Sequence, residues 1–145
     1  MSLNLKEVSV GTGLPEVKRR VTQERINQYA EASGDFNPIH IDPEFAKNTH
    51  LGGTVAHGML VLAYISEFML ENFKTDWLTG GSLSARFKGA TYPEDIITIS
   101  GKITSIENED DFTNYSCEVL CHNQKGEPVI VSSTKVRTKA DEDSD

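Results

Sequence analysis

The order of elements along the chain predicts an α+β domain, a curved antiparallel sheet wrapped around one long central helix. Three observations carry that expectation. A helix-length apolar run occupies about residues 55–73, four strand patterns separated by short gaps follow it, and short extended and helical pieces precede it.

Taken in order, Val8 and Val10 alternate as in a first strand, Gly11-Thr12-Gly13 reads as a turn, and residues 17–21 read as a second short strand. Thr22 caps a helix reaching about Ala32, with Ile26, Tyr29, Ala30 and Ser33 on one buried face. Gly34 ends it, and Asn37-Pro38 prevents its continuation, because a residue before proline disfavours the α region. Asp42-Pro43-Glu44-Phe45 has an acidic cap and a first-turn proline, so a second helix starts there. Leu51-Gly52-Gly53-Thr54 is a loop. Beyond it, Met59, Leu60, Val61, Leu62, Ala63, Tyr64, Ile65, Phe68, Met69 and Phe73 describe a helix buried on most sides. Residues 83–87, 96–106, 112–122 and 129–137 read as strands, with turns at 108–111 and 123–126. Such a sheet leaves an edge strand and apolar surface, which pairing with a second copy removes; a homodimer or a dimer of dimers is expected.

The chain has 145 residues, the length of one domain. Its 37% apolar content supports a core. Residues 1–139 are expected to form that domain. The tail at 140–145 is acidic, has nothing to bury and is expected to be disordered. Fourteen Lys+Arg against 22 Asp+Glu give a net charge of −8, which argues against a nucleic-acid partner. There is no apolar stretch of about 18 residues, so no membrane span is expected. The start, Met1-Ser2-Leu3-Asn4-Leu5-Lys6, lacks the basic and apolar regions of a secretory signal. Cys117 and Cys121 on one strand would stand about 13 Å apart, beyond the roughly 7 Å reach of a disulfide. Reduced thiols in a cytoplasmic protein are the expectation.

The segment that can carry chemistry is Gly34-Asp35-Phe36-Asn37-Pro38-Ile39-His40, which puts a carboxylate, an amide and an imidazole within six residues on a stiff turn. Asp35 and His40 can reach one small molecule between them. Each alone has a plainer reading, Asp35 as a turn residue and His40 as a core histidine; their joint spacing is what is unusual. A second stretch, Gly52-Gly53-Thr54-Val55-Ala56-His57-Gly58-Met59, lies where the buried helix begins. Its first amides have no intrahelical acceptor, and the helix dipole adds positive charge. A glycine amide there suits an oxygen that becomes negative during reaction.

The string Gly34 to His40, with His57-Gly58-Met59 downstream, resembles the MaoC-like, (R)-specific enoyl-CoA hydratase family of the hydratase 2 type. Arg86-Phe87-Lys88 and Tyr92-Pro93-Glu94-Asp95 resemble that family's later strand and turn, so the likeness extends nearly to the tail. Two departures stand out: Thr54-Val55-Ala56 precedes His57, and Gly89-Ala90-Thr91 lies further on, where many members carry a proline.

The resemblance implies the hot-dog fold and a hydro-lyase that adds water across trans-2-enoyl thioesters, with Asp35 and His40 as the acid–base pair. It makes the Gly58 amide the oxyanion donor and Asn37 an orienting residue. Which of Asp35 and His40 donates is left open. His57, Met59, Arg86 and Lys88 are candidate substrate contacts, Met59 toward the acyl chain and the cations toward phosphates. Arg137 and Lys139 are further candidate cations. The expected partner is an acyl-CoA or acyl-carrier-protein thioester, with no other cofactor. Alternatives are a dehydratase confined to carrier-protein or specialised thioesters, and a non-catalytic thioester-binding subunit. His40, Asp42, His50 and His57 match no zinc spacing, so no metal is expected.

Overall fold

In the computed structural model, which describes residues 3–139, the first strand begins at Gly13. The Val8/Val10 alternation does not form a strand: Val10 and Gly11 turn, and Val10 is exposed. Gly11-Thr12 instead lies against the sheet through the Gly11 amide to the Ile103 carbonyl and the Ile103 amide to the Thr12 carbonyl. Gly13, expected in the turn, pairs with Lys102 as the first residue of the ladder.

Among the described residues, five strands, β1 (Gly13–Arg20), β2 (Gly81–Phe87), β3 (Ile96–Glu109), β4 (Phe112–His122) and β5 (Pro128–Lys139), form one sheet in the order β1-β3-β4-β5-β2, antiparallel throughout. β1 and β2 are the edges. The strand alternation was legible because one face is buried. Ile97, Ile99 and Ile103 of β3, with Tyr115, Cys117, Val119 and Cys121 of β4, point inward and are 7% exposed or less. β3 runs three residues past its expected end, to Glu109, and closes on β4 through the tight turn at Asp110-Asp111.

Five helices complete the described residues: α1 (Gln23–Ser33), α2 (Pro38–Ile41), α3 (Pro43–Ala46), α4 (Gly58–Phe73) and α5 (Thr75–Gly80). Thr22 caps α1, accepting from the Arg25 amide. Ile26 and Ala30 are buried as the periodicity requires; Ser33 is exposed. Asp42 caps α3 through the Glu44 and Phe45 amides. α5 had no sequence signal, since Thr75-Asp76-Trp77-Leu78-Thr79-Gly80 mixes polar residues with one buried anchor. That anchor, Trp77, donates from Nε1 to Ser66 Oγ at 2.9 Å.

α4 packs its Leu60, Val61, Ile65, Phe68, Met69 and Phe73 face on the sheet. Phe68 closes over Gly101 of β3, and Thr134 Oγ1 of β5 lies 3.5 Å from Met69 Sδ. Each such side chain contributes about 1.5–3 kcal/mol. The helix is not buried all round in the single chain. Met59 (58% exposed), Ala63, Glu67 and Leu70 form an open stripe. None of the helices among the described residues is long and apolar enough to cross a membrane. Cys117 and Cys121 are free thiols on the inward face of β4. Burial pushes Cys117 up to about 11 and Cys121 up to about 12.

Candidate active site

The site grows out of three capped turns. Gly34 closes α1 at φ 78°, a left-handed conformation that glycine adopts without strain. Ser33 Oγ then accepts from the Asp35 amide at 3.2 Å, Asp35 Oδ1 from the Asn37 amide at 3.2 Å, and Asn37 Oδ1 from the Ile39 amide at 3.1 Å. One oxygen of the Asp35 carboxylate is thus tied to its own loop. The other, Oδ2, lies 3.9 Å from His40 Nε2 on α2.

His40 is oriented from behind. Its Nδ1 lies 2.8 Å from the Val55 carbonyl, which can only accept, so the proton sits on Nδ1 and Nε2 faces Asp35. The main chain of His40 is held as well. Gln23 donates to its carbonyl at 2.8 Å, and Thr54 Oγ1 donates to Gln23 Oε1 at 2.7 Å. Gln23 and Thr54 carry no local sequence signal, because their partners stand 17 and 31 residues away.

His57, the residue before α4, is 2% exposed. Its ring lies under the pair rather than on the surface. Nε2 donates to the Asp35 carbonyl at 3.0 Å, the ring stacks on His40 at 3.8 Å and 24°, and Tyr29 tilts against it at 4.8 Å. Nδ1 is buried without a partner among the described residues. Asp35, His40 and His57 offer ligand atoms within 4.8 Å of one another. Both imidazoles already donate one nitrogen to a carbonyl. His40 Nε2 and His57 Nδ1 are the two ring nitrogens left over.

Gly58 opens α4, and its amide has no acceptor within the helix. A Cβ there would lie 3.0 Å from Phe87 Cε1, so the Phe87 ring rests on the bare backbone. Met59 follows, exposed on the same turn. The structure therefore gathers Asp35, Asn37, His40, His57 and Gly58. It separates Arg86, which alternation along β2 places on the opposite face from Phe87. Lys88 lies just beyond the strand end. Arg137 stands over the Phe112 ring at 3.7 Å, at the other end of β5.

The profile of the MaoC like domain matches residues 8–121. This chain belongs to the MaoC-like domain family. The (R)-specific enoyl-CoA hydratase of Aeromonas caviae is 30% identical to this MaoC-like chain over 95 residues, which are 64% of this chain and 69% of that protein. The fatty acid synthase subunit beta of Saccharomyces cerevisiae is 41% identical over 63 residues, 43% of this chain and 3% of that protein. This chain thus spans only a small part of the synthase subunit. The solved structure of the (R)-hydratase from A. caviae superposes with a TM-score of 0.78 at 23% identity, covering 90% of this chain and 97% of that one. The architecture is the hot-dog fold, as expected from the sequence.

Proposed function

We propose that this MaoC-like chain is a hydro-lyase that adds water across trans-2-enoyl thioesters to give the (3R)-3-hydroxyacyl product, and runs the reverse dehydration with the same groups. One observation carries the reading: Asp35 Oδ2 and His40 Nε2 face each other across 3.9 Å. That gap admits a water hydrogen-bonded to both.

With its proton held on Nδ1, neutral His40 presents the Nε2 lone pair as the base. Asp35 accepts the second hydrogen and aims the oxygen. As water oxygen bonds to C3, Nε2 takes one proton and returns it to C2, so one H and one OH are added in sum. Negative charge collecting on the thioester oxygen is met by the Gly58 amide at the positive end of α4; a donor of this kind is worth about 10²–10³ in rate. Asn37 acts on the loop rather than on substrate, through its cap of α2.

The reading extends to assembly. Phe36, Met59 and Phe87 are each more than half exposed beside a carboxylate that is itself half open, and β2 has a free edge. A second copy lying along β2 would cover them. The kinship to the synthase subunit favours a second carrier, an acyl-carrier-protein thioester, acted on by the same pair.

Purified protein is expected to consume crotonyl-CoA, followed as loss of enoyl absorbance, with the R product identified by chiral separation. Asp35→Asn and His40→Ala are each expected to lower kcat by about a hundredfold or more at unchanged Tm. Full activity in either variant would sink the assignment.

A further inference from the structure

The turn that carries His40 and the segment Thr54-Val55-Ala56-His57 that leads to the Gly58 amide are fastened to each other residue by residue. The Val55 amide donates to the Ile39 carbonyl at 3.2 Å, and the Val55 carbonyl takes the His40 Nδ1 proton at 2.8 Å. One residue on, the Ala56 amide donates to the Thr91 carbonyl at 2.8 Å, and Gly58 then opens α4. The remaining tie comes from neither segment. Gln23, the first residue of α1, bonds both: its Nε2 donates to the His40 carbonyl at 2.8 Å, and its Oε1 accepts from Thr54 Oγ1 at 2.7 Å.

The Gln23 amide is fully used and fits only one way. Nε2 carries two hydrogens, and the second goes to Asn27 Oδ1 at 2.9 Å. The His40 carbonyl can only accept, so turning the amide over would set oxygen against oxygen. Thr54 is 7% exposed, so its hydroxyl depends on Gln23 rather than on bulk water. A buried polar group that loses its partner costs more than the bond itself contributes, which makes this brace sensitive to either end.

We infer that Gln23 is a positioning residue for the hydration, acting with Thr54 to hold the His40 base in register with the Gly58 amide. The inference rests on the hydratase reading above and goes beyond it, to a residue outside the Asp35–His40 turn on which the chemistry depends. Water is activated at His40 while negative charge collects on the thioester oxygen at Gly58, so the two groups must keep one spacing. A displacement of about 1 Å in such a site can cost about a hundredfold in rate. Gln23 acts on that spacing through the His40 carbonyl on one side and Thr54 on the other.

The test separates positioning from folding. Gln23→Glu keeps the side-chain length and the oxygen for Thr54 but has no hydrogen for the His40 carbonyl. It is expected to lower kcat for crotonyl-CoA about tenfold with KM within twofold. Thr54→Val, which keeps the shape and loses the hydroxyl, is expected to lower kcat about fivefold, and Thr54→Ser to recover most of it. Because both residues act through one brace, Gln23→Ala/Thr54→Val is expected to lose no more than Gln23→Ala alone. A purely structural role lowers Tm and leaves kcat per folded molecule alone. Unchanged kcat in Gln23→Glu therefore overturns the inference, as does a double variant in which the two losses multiply; both results leave the hydratase reading intact. If the wild type hydrates no enoyl thioester, that reading fails by itself, and the ring tautomer of His40 decides, read from the chemical shifts of labelled histidine nitrogens. The wild type is expected to hold the proton on Nδ1 and Gln23→Glu to mix the two tautomers. A single, identical tautomer in both overturns the inference.

Discussion

The two halves of this molecule are held together by different forces. From β3 to β5, ten apolar residues are at most 7% exposed, among them Ile97, Ile99, Ile103, Val119, Ile130 and Val136. Between Glu31 and Gly53, the stretch that carries Asp35 and His40, Ala46 is the one buried residue. There the backbone is fixed by short polar links instead, through Ser33, Asp35, Asn37 and Asp42. Apolar burial is strong but not directional, whereas hydrogen bonds are weak and aimed. The sheet supplies stability, and the turn supplies geometry.

If that division holds, damage to one half should leave the other measurable. The largest effect is expected from Ile99→Ala, which opens a cavity in the sheet and costs about 2–5 kcal/mol. Urea melts should show it, while kcat per folded molecule stays unchanged below the transition. A matching loss of kcat would mean that the sheet also shapes the site. Next, His57→Leu removes the bond to the Asp35 carbonyl and the stack on His40. About a tenfold fall in kcat is expected without a fall in Tm. His57→Gln, which keeps an N–H for that carbonyl, should recover part of the rate, and a Tm loss without a rate loss would make His57 a core residue only.

The smallest effect concerns pH. Burial holds Cys117 and Cys121 as neutral thiols, up to about 11 and about 12, above the usual range near 8.5. Their contribution to stability is therefore intact below about pH 8.5 and is lost as pH climbs toward 11–12, because the unfolded chain ionises first. Tm should fall between pH 8 and 10.5, and fall less in Cys117→Ala/Cys121→Ala. Parallel pH profiles would rule the thiols out.

The same division decided what could be read from sequence. Caps and alternations are local, so Thr22, Gly34, Asp42 and the strands β3, β4 and β5 stood out. So did the Asp35–His40 pair, whose members share one turn. Val8 and Val10 misled because two alternating residues carry no information about a ladder partner. The orientation of His57 and the Gln23–Thr54 brace depend on segments distant in sequence. No spacing rule reaches them.

One detail described above bears on how the chain would respond to selection. The Nδ1 atom of His57 is shut away from water with nothing to accept, a burden of about 1–3 kcal/mol on the folded state. An apolar side chain of similar size would relieve it. Variants chosen for heat tolerance alone would drift from histidine at this position, and their turnover would decline as their endurance grew.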